Sequence, residues 1–169
     1  MSGGGKTRLS LEIARRLGLP VVHLDRDFWQ PGWVSPEADW WRARVSELVA
    51  EPHWVMDGNY GRTLDQRVVV SDVVVFLDVP RRVALAGVLR RWWHHIGRTR
   101  PDLAPGCPER MDLAFLRWVW RYPKDGRPIV IDALAEVSDQ VAIVRLQSRK
   151  EATIWVTSLP EQTDNVRPP

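Results

Sequence analysis

The chain has 169 residues, 44% of them hydrophobic and 27% charged, which fits one globular domain and excludes long disordered or fibrous chains. No apolar run reaches the roughly 18 residues of a membrane span, the first thirty residues lack a signal-peptide core, and a lone Cys107 permits neither an internal disulfide nor a cysteine zinc cluster. A cytoplasmic protein without a membrane partner is predicted, with Cys107 structural. The net charge is only +3, yet residues 81–121 hold nine Arg, no Lys and three acids (Asp102, Glu109, Asp112), a local +6 of the kind an anion site requires.

Along the chain, Leu9, Ile13, Ala14 and Leu17 recur at helical spacing and predict a helix over residues 6–17, ended by Gly18 and Pro20. Residues 19–24 read as a buried strand leading into Asp25. Ser35 as N-cap and Pro36 as first helical residue predict a helix carrying Trp40, Trp41, Val45, Leu48 and Val49 and ending near Pro52. Residues 53–56 form a second strand running into Asp57, and residues 72–78 a third, ending in Asp78. Residues 81–97 alternate Arg with apolar residues as a long helix with a basic face, broken by Pro101, Pro105, Gly106 and Pro108. Helical spacing resumes over 111–120, is interrupted over 124–128, and returns over 129–137. A strand over 141–146 and a helix over 149–156 follow. The tail from Ser158 holds three Pro and few apolar residues, which predicts disorder over 158–169. Strands alternating with helices predict one largely parallel sheet in an α/β domain over residues 1–157, with ligands at the carboxyl ends of the strands.

Ser2-Gly3-Gly4-Gly5-Lys6-Thr7 stands directly ahead of the first helix. Gly3, Gly4 and Gly5 let the backbone turn its N–H groups onto one anion, Lys6 reaches terminal phosphates, and the Thr7 hydroxyl can ligate Mg²⁺. This is the distal part of G-x-x-x-x-G-K-[ST], or else a flexible glycine-rich terminus. Asp78, at the end of the most hydrophobic strand, supplies the acid that would hold the Mg²⁺ shell. Arg90, Arg91, Arg98, Arg100 and Arg110 flank or occupy a Pro/Gly-rich segment at about 97–110, the composition of a lid closing over phosphates; the plainer alternative is a solvated basic face. Asp25 either orients or deprotonates an acceptor hydroxyl or caps the next turn. His94 and His95 point in different directions on one helix, which argues against a metal site. Trp29 and Trp33 can stack an acceptor base, whereas Trp40, Trp41, Trp118 and Trp120 are expected in the core.

The motifs His23-Leu24-Asp25, Asp57-Gly58-Asn59-Tyr60, Leu77-Asp78-Val79-Pro80, Arg98-Thr99-Arg100-Pro101-Asp102 and Cys107-Pro108-Glu109-Arg110 follow the glycine loop in one order. In this the sequence resembles the P-loop kinases related to adenylate kinase, in particular the family labelled topology-modulation proteins, from about residue 2 to 151. The resemblance implies a P-loop NTPase fold of the nucleoside-monophosphate-kinase type, with a parallel sheet, flanking helices and an Arg-rich lid, and Mg²⁺-dependent transfer of the γ-phosphoryl of ATP to a small acceptor, a nucleotide or related metabolite. Lys6, Asp25, Arg98 and Arg100 take catalytic roles in it. Gly3 to Thr7, Arg90, Arg110 and Arg149 bind the nucleotide, Asp25, Asp57, Asn59, Tyr60 and Arg62 bind the acceptor, with Arg67 a further phosphate contact, and Thr7 and Asp78 hold the metal. Gly4 replaces the family's usual Ser. The family's first strand and first loop glycine would fall ahead of Met1, so the natural protein is expected to begin upstream, and the strands over 53–56 and 72–78 to stand about 9–10 Å apart or to pair unnaturally. The family label, a pI near 9.5 and interleaved Arg and Trp raise the alternative of a nucleic-acid-binding regulator of DNA topology, against which stand the scarcity of Lys and the lack of a recognised nucleic-acid motif. A nucleotide-binding protein without turnover is the third reading.

Overall fold

A computed structural model describes residues 1–161; of the tail expected to be disordered over 158–169, Leu159 packs against the core and Glu161 pairs with Arg15, while 162–169 lie outside the described residues. Helix α1, Lys6–Leu17, buries Leu9, Ser10 and Ala14 and ends at Gly18 in the left-handed conformation (φ 64°), as the apolar spacing and terminal glycine dictate. Strand β1 is only Val21–His23. It is cut short by an unforeseen helix α2, Leu24–Phe28, whose Leu24 and Phe28, one turn apart, both pack in a cluster with Trp41 and Val45. Helix α3, Ala38–Val49, begins two residues later than expected. Glu37, extended at ψ 147° and making no side-chain cap, occupies the N-cap in place of Ser35.

Strand β2 is Val55–Asp57; a single 3₁₀ turn, Gly61–Thr63, leads to α4, Leu64–Val68. Strand β3, Val73–Leu77, and helix α5, Arg81–His95, lie close to expectation. Helix α6, Leu113–Asp125, is capped by the Asp112 carboxylate accepting from the amides of Ala114 and Phe115 and carries Pro123 in its last turn. The expected interruption over 124–128 shrinks to Gly126, after which α7, Arg127–Val137, starts with Pro128 in its first turn. There Pro lacks only an N–H that has no helical partner anyway. Strand β4, Ala142–Leu146, and helix α8, Arg149–Thr157, complete the order. Among the described residues no helix is long and apolar enough to cross a membrane.

The α/β alternation produces parallel pairing but not the single sheet expected. Among the described residues β1 pairs only with β2, Val21 opposite Val55 and His23 opposite Asp57. Among the same residues β3 pairs only with β4, Val73 opposite Ala142 and Leu77 opposite Leu146. β2 and β3 do not pair with each other; both border a cavity of about 600 Å³. The core is correspondingly divided into three clusters: Leu24, Trp41 and Val45 beside the first pair; Val68, Phe76, Leu134, Val137 and Val141 beneath the second; and a larger one around Leu77, Ala84, Val88, Val119 and Tyr122. Of the tryptophans expected inside, Trp41 is buried, but Trp40, Trp118 and Trp120 are 50, 42 and 44% exposed. Trp120 instead lies under the guanidinium of Arg81, 3.9 Å from the ring centre, a use of the indole face that helical spacing cannot foretell.

Candidate functional site

Gly3 and Gly5 have φ of 75° and 109°, conformations that disfavour a side chain, and Gly5 is the N-cap of α1. The loop lies against α5 so closely that a Cβ on Gly3 would meet the Ala84 carbonyl at 2.1 Å, and one on Gly87 the Gly3 carbonyl at 2.0 Å. Arg149 donates to the carbonyls of Gly3 (2.8 Å) and Gly4 (3.2 Å), and Lys6 Nζ to that of Met1 (3.1 Å). The loop carbonyls are thus turned toward cations. No side chain caps the first turn of α1 and no acid lies in it, so its leading N–H groups and positive dipole end keep their capacity for an anion.

Thr7 Oγ1 donates to Asp57 Oδ2 at 2.7 Å. Burial pushes the Asp57 carboxyl up, but His23, Lys6 and Thr7 together outweigh it and hold the group below its ordinary value. The in-register pairing of β1 and β2 sets His23 beside Asp57, with Nδ1 3.6 Å from Oδ2, an ion-pair separation rather than a hydrogen bond. That carboxylate raises His23, against the opposing effect of burial, with smaller help from Asp102 and Asp25. The acid facing Thr7 is therefore Asp57. Asp78 takes fork-like hydrogen bonds from Arg127 (2.9 and 3.1 Å) and Arg145 (2.7 and 3.0 Å), and these outweigh burial to keep its carboxyl low.

Beside this centre, the Tyr60 hydroxyl donates to Asp25 Oδ1 at 2.7 Å and is pushed up, first by burial and then by that carboxylate. Asn59 Oδ1 accepts from the Tyr122 hydroxyl at 3.3 Å. Arg67, buried and lowered to about 10 by that burial, donates to the carbonyls of Tyr60 and Thr63, so it holds the turn bearing Asn59 and Tyr60. Arg62 is exposed, and its carbonyl accepts from Arg42 at 2.6 Å.

The chain matches no protein-family model and no curated protein.

The segment over 97–110 folds onto the loop after α2. Gly32 N donates to Gly106 O (2.9 Å), Trp33 Nε1 to Pro108 O (3.0 Å) and Cys107 Sγ to Gln30 O (3.2 Å). Cys107 is fully buried, the structural role expected of it. Trp33 has φ 66° and meets Trp29 edge-on at 5.3 Å, so this aromatic pair joins the segment. Arg100 is itself buried, its guanidinium 2.8 Å from both Asp102 and Glu109, and Arg91 reaches Glu109 at 3.2 Å. These two Arg bind the segment to itself and to α5, whereas Arg90, Arg98 and Arg110 are exposed. The structure brings together Gly3 to Thr7, Arg149 and Asp57, and separately Asp25 with Tyr60; it leaves Asp78 with two arginines. Thr7 bonds Asp57, a residue the sequence places with the acceptor instead. Parallel pairing sets the polar ends of neighbouring strands side by side, and that was the available signal. Among the described residues no group of three or more His, Cys, Asp or Glu is placed to hold a metal alone.

Proposed function

We propose that the chain is a small P-loop kinase of the nucleoside-monophosphate-kinase type, transferring the γ-phosphoryl of ATP with Mg²⁺ to a small acceptor such as a nucleotide. The observation that carries this reading is the glycine loop opening α1, with its cation-bound carbonyls, uncapped first turn and Thr7 on Asp57. The residues fit both groups: the left-handed Gly3 and Gly5 make a loop free of side chains, and a hydroxyl beside a carboxylate is the hard oxygen donor set that suits Mg²⁺. Thr7 and Asp57 would hold the ion, so the metal role passes from Asp78 to Asp57. ATP supplies the phosphoryl group when bound, and Mg²⁺ neutralises its charge. Lys6 leaves the Met1 carbonyl for the terminal phosphates, Asp25 orients the acceptor hydroxyl and accepts its proton, and Arg98 and Arg110 from the lid over 97–110, with Arg90 from α5, bring positive charge. The test is thermal shift against nucleoside mono- and triphosphates with Mg²⁺, alongside phosphoryl-transfer assays. ATP and one acceptor class should each raise the melting temperature, and Lys6→Ala should abolish transfer with the unliganded melt unchanged. Unchanged turnover in folded Lys6→Ala would remove the reading.

A second reading, a nucleic-acid-binding regulator, is favoured by Trp93, 73% exposed next to Arg90 and Arg91 on α5, since exposed indoles among Arg suit base stacking. DNA binding that falls steeply with salt and ignores ATP would select it.

A further inference from the structure

A second pocket, of about 300 Å³, opens where β3 and β4 end, lined by Asp78 and Gln147, the residues that follow the two strands. Its charged side chains are three arginines, Arg81, Arg127 and Arg145, and one acid, Asp78. Arg127 and Arg145 each turn the Nε–Nη2 edge of the guanidinium to Asp78, and the Nη1 groups make no hydrogen bond among the described residues. Arg81 lays its face on Trp120 at 3.9 Å, which leaves the N–H edges of its fork unspent. Three guanidiniums against one carboxylate repel one another, and a dianion between them would relieve that repulsion. The helices add to the field. Pro80 is the N-cap of α5 and Arg81 its first residue, and Arg127 is the first residue of α7; neither helix has a side-chain cap or an acid in its first turn, so two positive dipole ends open at the pocket.

We propose that this pocket is a second anion site, for a phosphoryl dianion carried by free phosphate or by the phosphate end of a small metabolite. Asp78 holds Arg127 and Arg145 in a fixed orientation, so their forks are set before the anion arrives and little ordering entropy is lost on binding. Three forks from three elements, α5, α7 and β4, suit the three terminal oxygens of a phosphoryl group, whereas a carboxylate offers two oxygens in one plane. The volume stands at the small end of ligand pockets, which run from roughly 300 to 1,000 Å³, so the ligand is a phosphate on a small body. Tyr122 and Pro123 line the pocket beside the arginines and supply its less polar wall. Neither Lys6 nor Thr7 lines it, and the inference is independent of phosphoryl transfer.

The test uses the full chain carrying Lys6→Ala, which weakens the glycine loop as a competing site, at pH 8, where a phosphate monoester with its second pKa of about 6 is a dianion. Inorganic phosphate, glycerol phosphate and acetate are titrated at matched ionic strength while NMR follows the arginine Nε–H signals and the Trp120 indole, with melting temperature alongside. Both phosphates are expected to shift the signals of Arg81, Arg127, Arg145 and Trp120 and to raise the melting temperature, and acetate to do neither. Tighter binding of glycerol phosphate identifies a metabolite as the ligand, and equal binding identifies free phosphate. Arg81→Gln should weaken phosphate binding at least tenfold with the unliganded melt little changed, because Arg81 is exposed and is not one of the groups that hold Asp78. Arg145→Lys, which keeps the charge and loses the fork, should weaken it as well; if that variant melts early, Arg81→Gln decides alone. Equal phosphate affinity in Arg81→Gln and its parent overturns the proposal, and so do shifts confined to residues 3–9, which would put the anion on the glycine loop. Loss of turnover in Lys6→Ala bears on phosphoryl transfer alone, so the two readings fail separately.

Discussion

Gly87 lies inside α5, where alanine ordinarily favours a helix by roughly 0.8–1.0 kcal/mol. Its missing Cβ decides otherwise, because that atom would stand 2.0 Å from the Gly3 carbonyl, a backbone atom that cannot swing aside. Gly87→Ala is therefore expected to lower the melting temperature and weaken ATP binding together; an unchanged or raised melt would mean that the loop yields without cost. The pair His23 and Asp57 sets a pH dependence. His23 is raised above its ordinary 6.5, so its contribution is complete below about that pH and fades as pH rises through the elevated value; Asp57 is lowered from 3.8, so its contribution stands above that pH and is lost on acidification through the depressed value. Stability from the pair is fullest between these limits. His23→Gln should flatten the decline in melting temperature above pH 6.5, and melts of the two proteins running parallel from pH 5 to 9 would dismiss the pair. Residue types were legible here, since the glycine run ahead of α1 points to the left-handed turns that Gly3 and Gly5 adopt. The partner of Thr7 was not, because the first three strands each lead into an acid, Asp25, Asp57 and Asp78, and only register selects Asp57.

At the scale of elements, the segment over 97–110 combines self-contained ion pairing with anchoring to the loop of residues 30–33. Arg100 sits between Asp102 and Glu109 with little exposure, and stripping one partner from such a buried cluster costs on the order of 3–5 kcal/mol. Arg100→Ala is expected to release the segment, seen as faster hydrogen exchange over 97–110 and freer reaction of Cys107 with a thiol reagent, with α1 and β3 still protected. Unchanged Cys107 reactivity would relieve Arg100 of this role. Arg98→Ala, altering an exposed residue, should leave Cys107 closed and lower turnover alone. The boundaries of α1, β3, α5 and β4 were readable because apolar periodicity and Gly or Pro act within one element. The entry to α3 and the short α2 were not: Leu24 and Phe28 become helical in contact with Trp41 and Val45, residues well over ten positions away. Similarly, Pro123 reads as a breaker, yet it falls in the last turn of α6, which ends two residues later at Asp125.

For the molecule as a whole, α/β class and parallel pairing were legible from alternation, whereas the division of the sheet was not, since local patterning carries no record of which edges stay unpaired. Each strand pair comes from one contiguous stretch, β1 and β2 from residues 21–57 and β3 and β4 from residues 73–146, while Val68 of α4 packs into the cluster of the second pair and Met1 and Leu9 into the largest one. The stretches meet mainly where α1 touches α8, where α4 touches α7, and where the glycine loop lies against α5. The covalent bridge between them runs through Val69 and Val70, both more than half exposed. Fragments 1–69 and 70–169, produced together with a tag on one, should co-purify, and failure to do so would show that the helix contacts cannot replace the peptide bond. The same partition divides the proposed anion site, since the glycine loop ahead of α1 comes from one fragment and α5 and Arg149 from the other, so anion binding is expected of the mixed fragments and of neither alone.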